Sequence, residues 1–313
     1  MPGSIAAMPL LPRCPLFDVI IVGAGPAGLS AALVLGRCCR RILVCDTGRP
    51  RNVASRALHA FLTRDGIDPA ELLRIGREQL RPYATVEFRS VEVTDAKRID
   101  GRFQVDMDNG TRLFARKLLL ATGLVDPVPL IDGIKAFYGR SVFHCPYCDG
   151  WEVRDQPLAA YGKGDDGVGL ALELLGWSRD VVLCTDGPSG LSADDRGRLA
   201  RNRVAVREES IGGLEGKRGI LERVVFTDGT SLARRALFFS TQWRERSDLP
   251  AKIGCKFTPE GAVENDALEA TTIPGLFVAG DACEHGGMSI IAAAEGARAA
   301  RTINAALLDE DLM

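Results

Sequence analysis

Residues 18–36 read DVIIVGAGPAGLSAALVLG, and RILVCD follows at 41–46. DVIIVG is a short apolar run rich in β-branched residues, which predicts a buried strand, whereas LSAALVLG has the composition of a helix. RILVCD predicts a second strand that ends in an acid. Between the first strand and the helix, Gly23, Gly25 and Gly28 stand at G-x-G-x-x-G spacing. The stretch therefore predicts a complete βαβ unit.

The glycine spacing indicates a dinucleotide site. Gly23 permits a tight turn, Gly25 lets the backbone approach a pyrophosphate, and Gly28 lets the helix pack closely on the strand. The helix N-terminus then offers free N–H groups to the anion. Asp46 follows Gly28 by 18 residues, at a strand end where its carboxylate can accept hydrogen bonds from ribose hydroxyls. The alternative is a purely structural glycine turn.

A second copy of this pattern lies further along the chain. Gly162, Gly164 and Gly167 repeat the first three glycines at a constant offset of 139 residues. Residues 86–123 and 204–241 each predict a β-meander of short strands with an Asx-Gly hairpin turn, returning in an apolar strand. The chain is therefore predicted to contain one dinucleotide fold twice.

The C-terminal part lacks a glycine pattern of its own and is predicted to return to the first fold. GLFVAGD at 275–281 predicts a strand, and the stretch from Met288 onward predicts a helix. The fold class predicted is α/β, with two nested Rossmann-like dinucleotide-binding domains. The predicted boundaries are 17–125 with 244–313 for the first domain and 126–243 for the inserted, nicotinamide-type one.

Between the two folds stands HCPYCDG at 144–150, which places Cys145 and Cys148 in C-x-x-C spacing. This spacing permits an internal disulfide and lowers the pKa of one thiol. The alternatives are a zinc half-site and two buried thiols. Zinc needs four ligands, and only His144 stands nearby with no second C-x-x-C in the chain, so no metal is predicted.

Composition excludes several classes of function. The 39 basic and 41 acidic residues give a net charge of −2, which argues against a nucleic-acid or membrane-surface partner. Nine irregularly spaced cysteines are unlike a secreted disulfide scaffold and favour a reducing, cytoplasmic setting. Prolines interrupt the short apolar run at the N-terminus, so no signal peptide is predicted.

Together, GAGPAG at 23–28, ATG at 121–123, CPYCDG at 145–150 and VAGDA at 278–282 resemble low-molecular-weight thioredoxin reductases over about residues 17–308. The resemblance implies FAD on the first fold, a nicotinamide domain as the second, and a homodimer. It implies that Cys148 faces the flavin, that Cys145 exchanges with substrate, and that Asp149 is the acid–base carboxylate. It further implies a set of cofactor-binding residues, namely Gly23, Gly25, Pro26, Ala27, Gly28, Asp46, Thr122, Gly123, Gly280, Asp281, Met288, Ser289 and Ile290.

The sequence departs from the family where a nicotinamide phosphate would bind. NADPH-dependent members carry an H-R-R run after the second strand of the nicotinamide fold, but residues 181–190 read VVLCTDGPSG here. Asp186 would repel a 2′-phosphate, and Asp165 with Asp166 would stand beside a pyrophosphate, with Lys163 offsetting part of their charge. We therefore expect that NADPH is not used, while NADH stays open.

This departure and HCPYCDG resemble more closely a subset of the family, the dithiol oxidases of disulfide-containing natural products such as gliotoxin and holomycin. That resemblance implies a small-molecule dithiol as substrate and oxygen as electron acceptor. A substrate thiolate would attack Cys145, a second substrate thiol would resolve the mixed disulfide, and the electrons would pass from Cys148 through FAD to oxygen. The alternatives are an NAD(P)H-dependent thioredoxin reductase and a flavin-bearing redox sensor.

Five further side chains are candidates at this site. His144 abuts Cys145 and could hold a thiolate or take a thiol proton, and His285 should lie near the flavin. His59 could border FAD, and Arg51 and Asn52 follow the second strand and could touch the FAD phosphates. For each histidine the alternative is a hydrogen-bonded structural role.

Overall fold

The structure is a computed structural model, and it describes residues 16–240, 243–283 and 287–313. The predicted catalytic residue His285 lies outside these ranges, so its placement stays a prediction.

The predicted βαβ unit is present. Strand β1 (Leu16–Val22), helix α1 (Pro26–Arg37) and strand β2 (Ile42–Cys45) follow one another, and β1 pairs with β2 in parallel. The two strands are buried almost throughout because helices cover both faces of a parallel sheet. Pro26 begins α1, where its missing N–H costs nothing and its fixed φ suits a helix.

The first sheet has seven strands. Its order is β3-β2-β1-β6-β5-β4, with β17 pairing β6. The added strands are β3 (Val86–Arg89), β4 (Val93–Ile99), β5 (Arg102–Met107), β6 (Arg112–Leu120) and β17 (Leu276–Val278). The return strand β17 lies in this sheet, as predicted, because its apolar residues 276–278 pair in parallel with 118–120 of β6.

Within the meander predicted over 86–123, the stretch VEFRSVEV at 86–93 is expected to form one strand, and this expectation is wrong. Residues 86–89 continue the parallel sheet beside β2, and the antiparallel meander begins only at Val93. The two apolar stretches at 111–115 and 117–123, expected as separate strands, form the single strand β6 over 112–120. A parallel strand and a meander strand have the same short apolar signature, so periodicity alone does not separate them.

Two long helices flank this sheet. Helix α2 (Pro69–Leu80) is capped by Asp68, and α8 (Ser289–Leu312) packs along α1. The α1–α8 contact is close because small residues face each other: a Cβ added at Gly296 would lie 2.0 Å from the Ala27 carbonyl oxygen. This packing fixes the N-terminus of α8 beside the glycine loop of the first fold.

The inserted fold has a five-stranded parallel sheet in the order β11-β10-β9-β15-β8. Its strands are β8 (Val142–Phe143), β9 (Leu158–Tyr161), β10 (Val181–Cys184), β11 (Ala205–Arg207) and β15 (Ala236–Phe239). Helix α5 (Gly164–Glu173) follows β9, and a 3₁₀ turn over 174–176 continues it. This repeats the β1–α1 unit, as the 139-residue offset predicts.

A separate three-stranded antiparallel sheet completes the inserted fold. It consists of β12 (Ile211–Lys217), β13 (Ile220–Phe226) and β14 (Ser231–Ala233). Strand β12 is not predicted from the sequence, because its seven residues read IGGLEGK and resemble a glycine-rich loop. Its pairing is irregular between Ile211 and Gly213 and again between Glu215 and Gly216, where bulges interrupt the alternation on which prediction relies.

Short elements connect the folds. Strand β7 (Leu124–Val125) pairs with β16 (Arg244–Glu245) in a two-stranded antiparallel ladder. The remaining helices are α3 (Ile134–Phe137), α4 (Pro146–Asp149), α6 (Ala193–Arg201) and α7 (Leu249–Ile253), with 3₁₀ turns at Trp151–Val153 and Gly280–Ala282. The predicted domain boundaries at 125/126 and 243/244 fall at this ladder, but as independent domains they stay a prediction.

In the described part of the chain, no helix combines the length and apolarity needed to cross a membrane.

Candidate active site

The glycine loop of the first fold is shaped by close backbone contacts. Gly23 has φ +105°, and a Cβ there would lie 2.2 Å from the Ala121 carbonyl oxygen. A Cβ on Gly28 would lie 1.9 Å from the Gly23 carbonyl oxygen, whereas one on Gly25 would meet no atom within 4 Å. Gly23 and Gly28 are therefore required for packing, and Gly25 leaves open space above the loop.

Asp46 lies beside this space. Its carboxylate accepts from the backbone N–H of Ala24 at 3.2 Å and from that of Gly48 at 3.2 Å, and it pairs with Arg77 of α2 at 2.5 Å. These three donors orient the carboxylate at the cleft wall, and its remaining lone pairs are available to ribose hydroxyls.

A cleft of about 1380 Å³ runs from the glycine loop to the redox motif. Small-molecule pockets are commonly about 300–1,000 Å³, so this one has room for a large cofactor and more. Most predicted site residues line it: Gly23, Gly25, Pro26, Ala27, Asp46, Arg51, Asn52, Thr122, Gly123, His144, Cys148, Asp149, Gly280, Asp281, Met288 and Ser289. His59 lines it too, whereas Gly28, Ile290 and Cys145 are not among its wall residues.

Orphaned polar atoms in the wall fit a polar ligand in this cleft. The Thr122 hydroxyl and both carboxylate oxygens of Glu245 are buried without a hydrogen-bond partner among the described residues. Buried polar groups are rarely left unpaired, so their partners are expected on the ligand. A dinucleotide supplies hydroxyl and phosphate oxygens over this length, and the residues present therefore fit FAD.

The redox motif forms a disulfide. Cys145 and Cys148 are bonded, with their Cα atoms 5.3 Å apart, within the normal range for such a bridge. Helix α4 starts directly after Cys145, and the backbone N–H of Cys148 donates to the Cys145 sulfur at 3.2 Å. Cys148 faces the cleft and Cys145 does not line it, an arrangement compatible with the predicted division of roles.

Asp149 follows Cys148, and its carboxyl group has a raised pKa. Burial, with a smaller contribution from the negative charge of Glu152, raises the pKa of Asp149 to about 7. The ring of His59 opposes this shift and lies 3.5 Å from Glu152 through Nε2 and 3.5 Å from Asp65 through Nδ1. A carboxyl that titrates near neutral pH beside a redox disulfide is suited to exchange protons with thiols.

His144 is held between two partners. Its Nδ1 lies 3.2 Å from the Tyr138 hydroxyl, and its Nε2 lies 3.6 Å from an oxygen of Asp126. Burial lowers the pKa of His144 below its ordinary value, although Asp126 acts in the opposite direction. Its Nδ1 is thus engaged by Tyr138, and a direct role of His144 in the thiol chemistry stays a prediction.

Arg51 makes contacts that the sequence did not indicate. Its guanidinium donates twice to Asp126 at 2.6 Å and once to Asp281 at 2.8 Å. Although burial opposes it, pairing with Arg51 helps to hold the pKa of Asp126 below its usual value. Arg51 was expected on FAD phosphates; in the structure it ties together two carboxylates from segments 75 and 230 residues away.

The second glycine loop is closed, in the sense that one of its backbone N–H groups already donates to another segment of the protein. Gly162 and Gly167 pack together as their first-fold counterparts do, but the backbone N–H of Gly164 donates to the Ser189 carbonyl at 3.1 Å. Ser189 is buried, and its hydroxyl is bound to the Glu208 carboxylate, which also accepts from Arg196 at 2.8 Å. The N–H group that would meet a pyrophosphate is therefore already engaged by the segment after β10.

Asp186, which could serve a nucleotide ribose, has a structural role here. The residue has φ +50°, and its carboxylate accepts from the backbone N–H of Ile211 at 2.7 Å. It also accepts a hydrogen bond from Tyr161, whose pKa is raised mainly by burial and further by this acid. These bonds tie the end of β10 to the start of β12.

Several contributors to the site were missed in the sequence: Tyr138, Asp126, Glu152 and Glu245. Asp126 stands three residues after the ATG stretch, but nothing in its local sequence indicates a partner 75 residues away. Within the described residues no group of three or more His, Cys, Asp or Glu side chains could hold a metal ion.

Comparison with known proteins identifies relatives over nearly the whole chain. The family model described as pyridine nucleotide-disulphide oxidoreductase matches residues 17–297. Thioredoxin reductase tcpT of Claviceps purpurea is 31% identical, covering 85% of this chain and 86% of that protein. Among solved structures, HlmI is 37% identical with a TM-score of 0.91, covering 95% and 94% of the two chains. An oxidoreductase from Agrobacterium tumefaciens is 35% identical with a TM-score of 0.87, covering 94% and 99%.

Proposed function

The chain belongs to the pyridine nucleotide-disulphide oxidoreductase family, as an FAD-dependent, thioredoxin reductase-like member, and we propose that it is a dithiol oxidase. In this proposal the enzyme closes a disulfide in a small-molecule dithiol, and oxygen receives the electrons as hydrogen peroxide. It works in the cytoplasm, and as a homodimer. The overall reaction balances: the dithiol loses two electrons and two protons, and one oxygen molecule gains them.

The closed second glycine loop carries this proposal. Gly164 gives its N–H to Ser189, and the first turn of α5 contains Asp165 and Asp166, whose negative charges disfavour a pyrophosphate at this helix end. Anions are favoured at helix N-termini only when free N–H groups and positive potential face them. This arrangement disfavours a nicotinamide dinucleotide, and it therefore supports a thiol substrate as the source of electrons.

The chain's own residues define the thiol chemistry. A substrate thiolate attacks the Cys145 sulfur, the Cys145–Cys148 bond breaks, and Cys148 leaves as a thiolate. The second substrate thiolate then attacks the substrate sulfur of the mixed disulfide, which releases the oxidised substrate and the Cys145 thiolate. Asp149, with a pKa of about 7, accepts a proton from an incoming substrate thiol.

FAD, when bound, supplies a two-electron acceptor that lets the cysteine pair return to its disulfide and that oxygen can regenerate. The glycine loop with Gly25 would hold its pyrophosphate, and Asp46 its ribose. Thr122 would pair its orphaned hydroxyl with the cofactor. Cys148, on the cleft wall, is the sulfur from which the electrons would leave the protein.

A second candidate is an NAD(P)H-dependent thioredoxin reductase, in which electrons flow toward a protein disulfide. The similarity to thioredoxin reductase tcpT of Claviceps purpurea favours it. The two candidates differ in which electron donor reduces the flavin, so one experiment separates them.

The test is anaerobic reduction of the FAD-loaded protein, followed by flavin absorbance. A small dithiol such as dithiothreitol should bleach the flavin rapidly, and NADPH should do so at least about 100-fold more slowly, since losing a charge-assisted contact to the 2′-phosphate and adding repulsion costs roughly 3 kcal/mol. Admitting air should restore the oxidised spectrum and release peroxide. Rapid stoichiometric bleaching by micromolar NADPH would contradict the oxidase proposal and support the thioredoxin reductase candidate.

The cysteine variants are the matched controls. Cys145→Ser and Cys148→Ser should both keep FAD and lose dithiol turnover, because neither residue belongs to the glycine loop. Cys184→Ser removes a buried thiol of the inserted sheet instead and should leave dithiol turnover intact. Turnover that persists in both motif variants would show that the disulfide is structural.

A further inference from the structure

Glu245 is a buried carboxylate that the thiol chemistry does not use. It lies on β16, opposite Leu124 in the ladder that connects the two folds. Neither of its carboxylate oxygens reaches solvent, and neither has a hydrogen-bond partner in the described part of the chain. Because buried polar groups are nearly always paired, two orphaned oxygens on one side chain indicate a partner that the described residues do not supply.

The position of Glu245 in the cleft indicates which part of FAD it meets. Glu245 lines the cleft, and its charged neighbour there is Asp281. Asp281 lies between the two ends of the site: a Cβ on the adjacent Gly280 would come within 3.0 Å of Ala27 in the glycine loop, and the electrostatic neighbours of Asp281 include His144 of the redox motif. A dinucleotide that spans from the pyrophosphate loop to the disulfide has its ribityl chain in this stretch.

Among the residues that the structure describes, no cation is paired with Glu245. Arg51 is committed to Asp281 and to a second carboxylate, and Arg246 donates to the Leu124 carbonyl at 3.1 Å. The Cys255 thiol, after α7, interacts electrostatically with Glu245, and burial raises the pKa of Cys255 to about 11, so this thiol stays neutral near pH 7. Burial and the charge of Asp281 together raise the pKa of Glu245 to about 8.

We propose that Glu245 is a ligand of FAD, a neutral carboxylic acid that donates one hydrogen bond to the hydroxyl-rich ribityl chain and accepts another from it. A protonated carboxyl has both a donor and an acceptor, which matches a chain of hydroxyl groups. Asp281, paired with Arg51, keeps the negative charge of this part of the site, and Glu245 keeps the proton. The proposal depends on FAD binding alone and not on which substrate the enzyme oxidises.

Titration of the apoprotein with FAD, followed by flavin fluorescence, tests the proposal without an activity measurement. Glu245→Ala should weaken FAD binding by about tenfold at pH 7, as expected for one lost hydrogen bond. In the unmodified protein the dissociation constant should rise by about tenfold or more between pH 7 and about pH 9.5, because the ionised group no longer donates and repels Asp281. Glu245→Gln, which keeps the shape and both hydrogen-bonding functions, should bind FAD with little dependence on pH over this range.

Glu264→Gln is the matched control, because Glu264 is exposed and outside the cleft. It should retain the pH dependence of the unmodified protein. Circular dichroism of each apoprotein shows whether a weaker affinity comes from unfolding, and infrared spectroscopy should detect a protonated carboxyl at pH 7 that Glu245→Gln lacks. Equal FAD affinity in Glu245→Ala, or an unchanged pH dependence in Glu245→Gln, would overturn the proposal.

Discussion

Asp149 is the residue whose charge state should control the reaction near neutral pH. Its pKa of about 7 comes mainly from burial, so the carboxylate form predominates only above that pH. As a proton acceptor it must be ionised, and anaerobic flavin reduction by a dithiol should therefore accelerate as pH rises through about 7. Substrate thiols, with pKa values near 8.5, add a second rise at higher pH.

Asp149→Asn should slow dithiol reduction by about 100-fold and remove the rise near pH 7, since an amide cannot accept the proton. Glu152→Gln is a second test of the same titration, because it changes the charge beside Asp149 and keeps Asp149 itself. It removes a negative charge that raises the pKa of Asp149, so the lower rise should move to lower pH while the maximal rate is kept. A pH profile in Asp149→Asn that still rises near pH 7 would assign the titrating group elsewhere.

Individual site residues were predictable where one local pattern carries the chemistry. The C-x-x-C spacing led to the Cys145–Cys148 disulfide, and the acid after β2 led to Asp46 in the cleft wall. The engagement of His144 was not predictable, because its partners are set by tertiary packing. In the sequence, a histidine beside a cysteine is compatible both with a catalytic base and with a structural, hydrogen-bonded histidine.

At the scale of elements, two glycines of the first loop have different roles: Gly28 is needed for packing and Gly25 for ligand binding. Gly28→Ala places a Cβ 1.9 Å from a backbone oxygen and should destabilise the fold by about 3 kcal/mol or more. Gly25 has φ −72°, and its Cβ would enter open space, so Gly25→Ala should leave the free energy of unfolding nearly unchanged. It should nevertheless weaken FAD binding by at least about tenfold, because the added methyl occupies the place where a pyrophosphate approaches.

Thermal unfolding of the apoproteins and FAD titration measure the two effects separately. Gly169→Ala in α5 is the control, since its Cβ meets no atom within 4 Å and it lies in the inserted fold. This variant should bind FAD normally. If Gly25→Ala bound FAD as tightly as the unmodified protein, the pyrophosphate would not lie over this loop.

Helices and strands were predictable where the spacing of apolar residues distinguishes one from the other. The β1–α1–β2 unit and α8 match their sequence signals because each has a long apolar pattern with clear breaks. Strand β12 could not be found, because three glycines in seven residues remove the alternation of apolar and polar side chains. The nested order of the two folds followed from the glycine repeat, which is a signal of the whole chain.

At the scale of the whole molecule, the cleft depends on contacts between segments far apart in sequence. Arg51 connects residues 126 and 281, β7 pairs with β16, and His59 of the first fold contacts Glu152 beside the redox motif. None of these pairs follows from local sequence, since each joins segments that are far apart along the chain. Together they hold the disulfide against the cavity that the glycine loop opens.

The His59–Glu152 contact offers a test of whether this arrangement matters for electron transfer. His59→Glu places a negative charge between Glu152 and Asp65, and like charges at this separation weaken the contact between the folds. We expect dithiol reduction of the flavin to slow by about two- to fivefold at low salt, because partly exposed pairs contribute about 1 kcal/mol or less. The loss should shrink in high salt, and FAD affinity should not change.

The rate should be measured at a pH of about 9, where Asp149 is ionised in every variant, so that only the contact between the folds is tested. A charge-swapped double variant, His59→Glu with Glu152→Arg, restores attraction across the same two positions. It should recover most of the rate, because opposite charges at these two positions replace the repulsion in His59→Glu. A double variant as slow as His59→Glu alone would show that His59 acts through the cofactor site, and not by holding the redox motif against it.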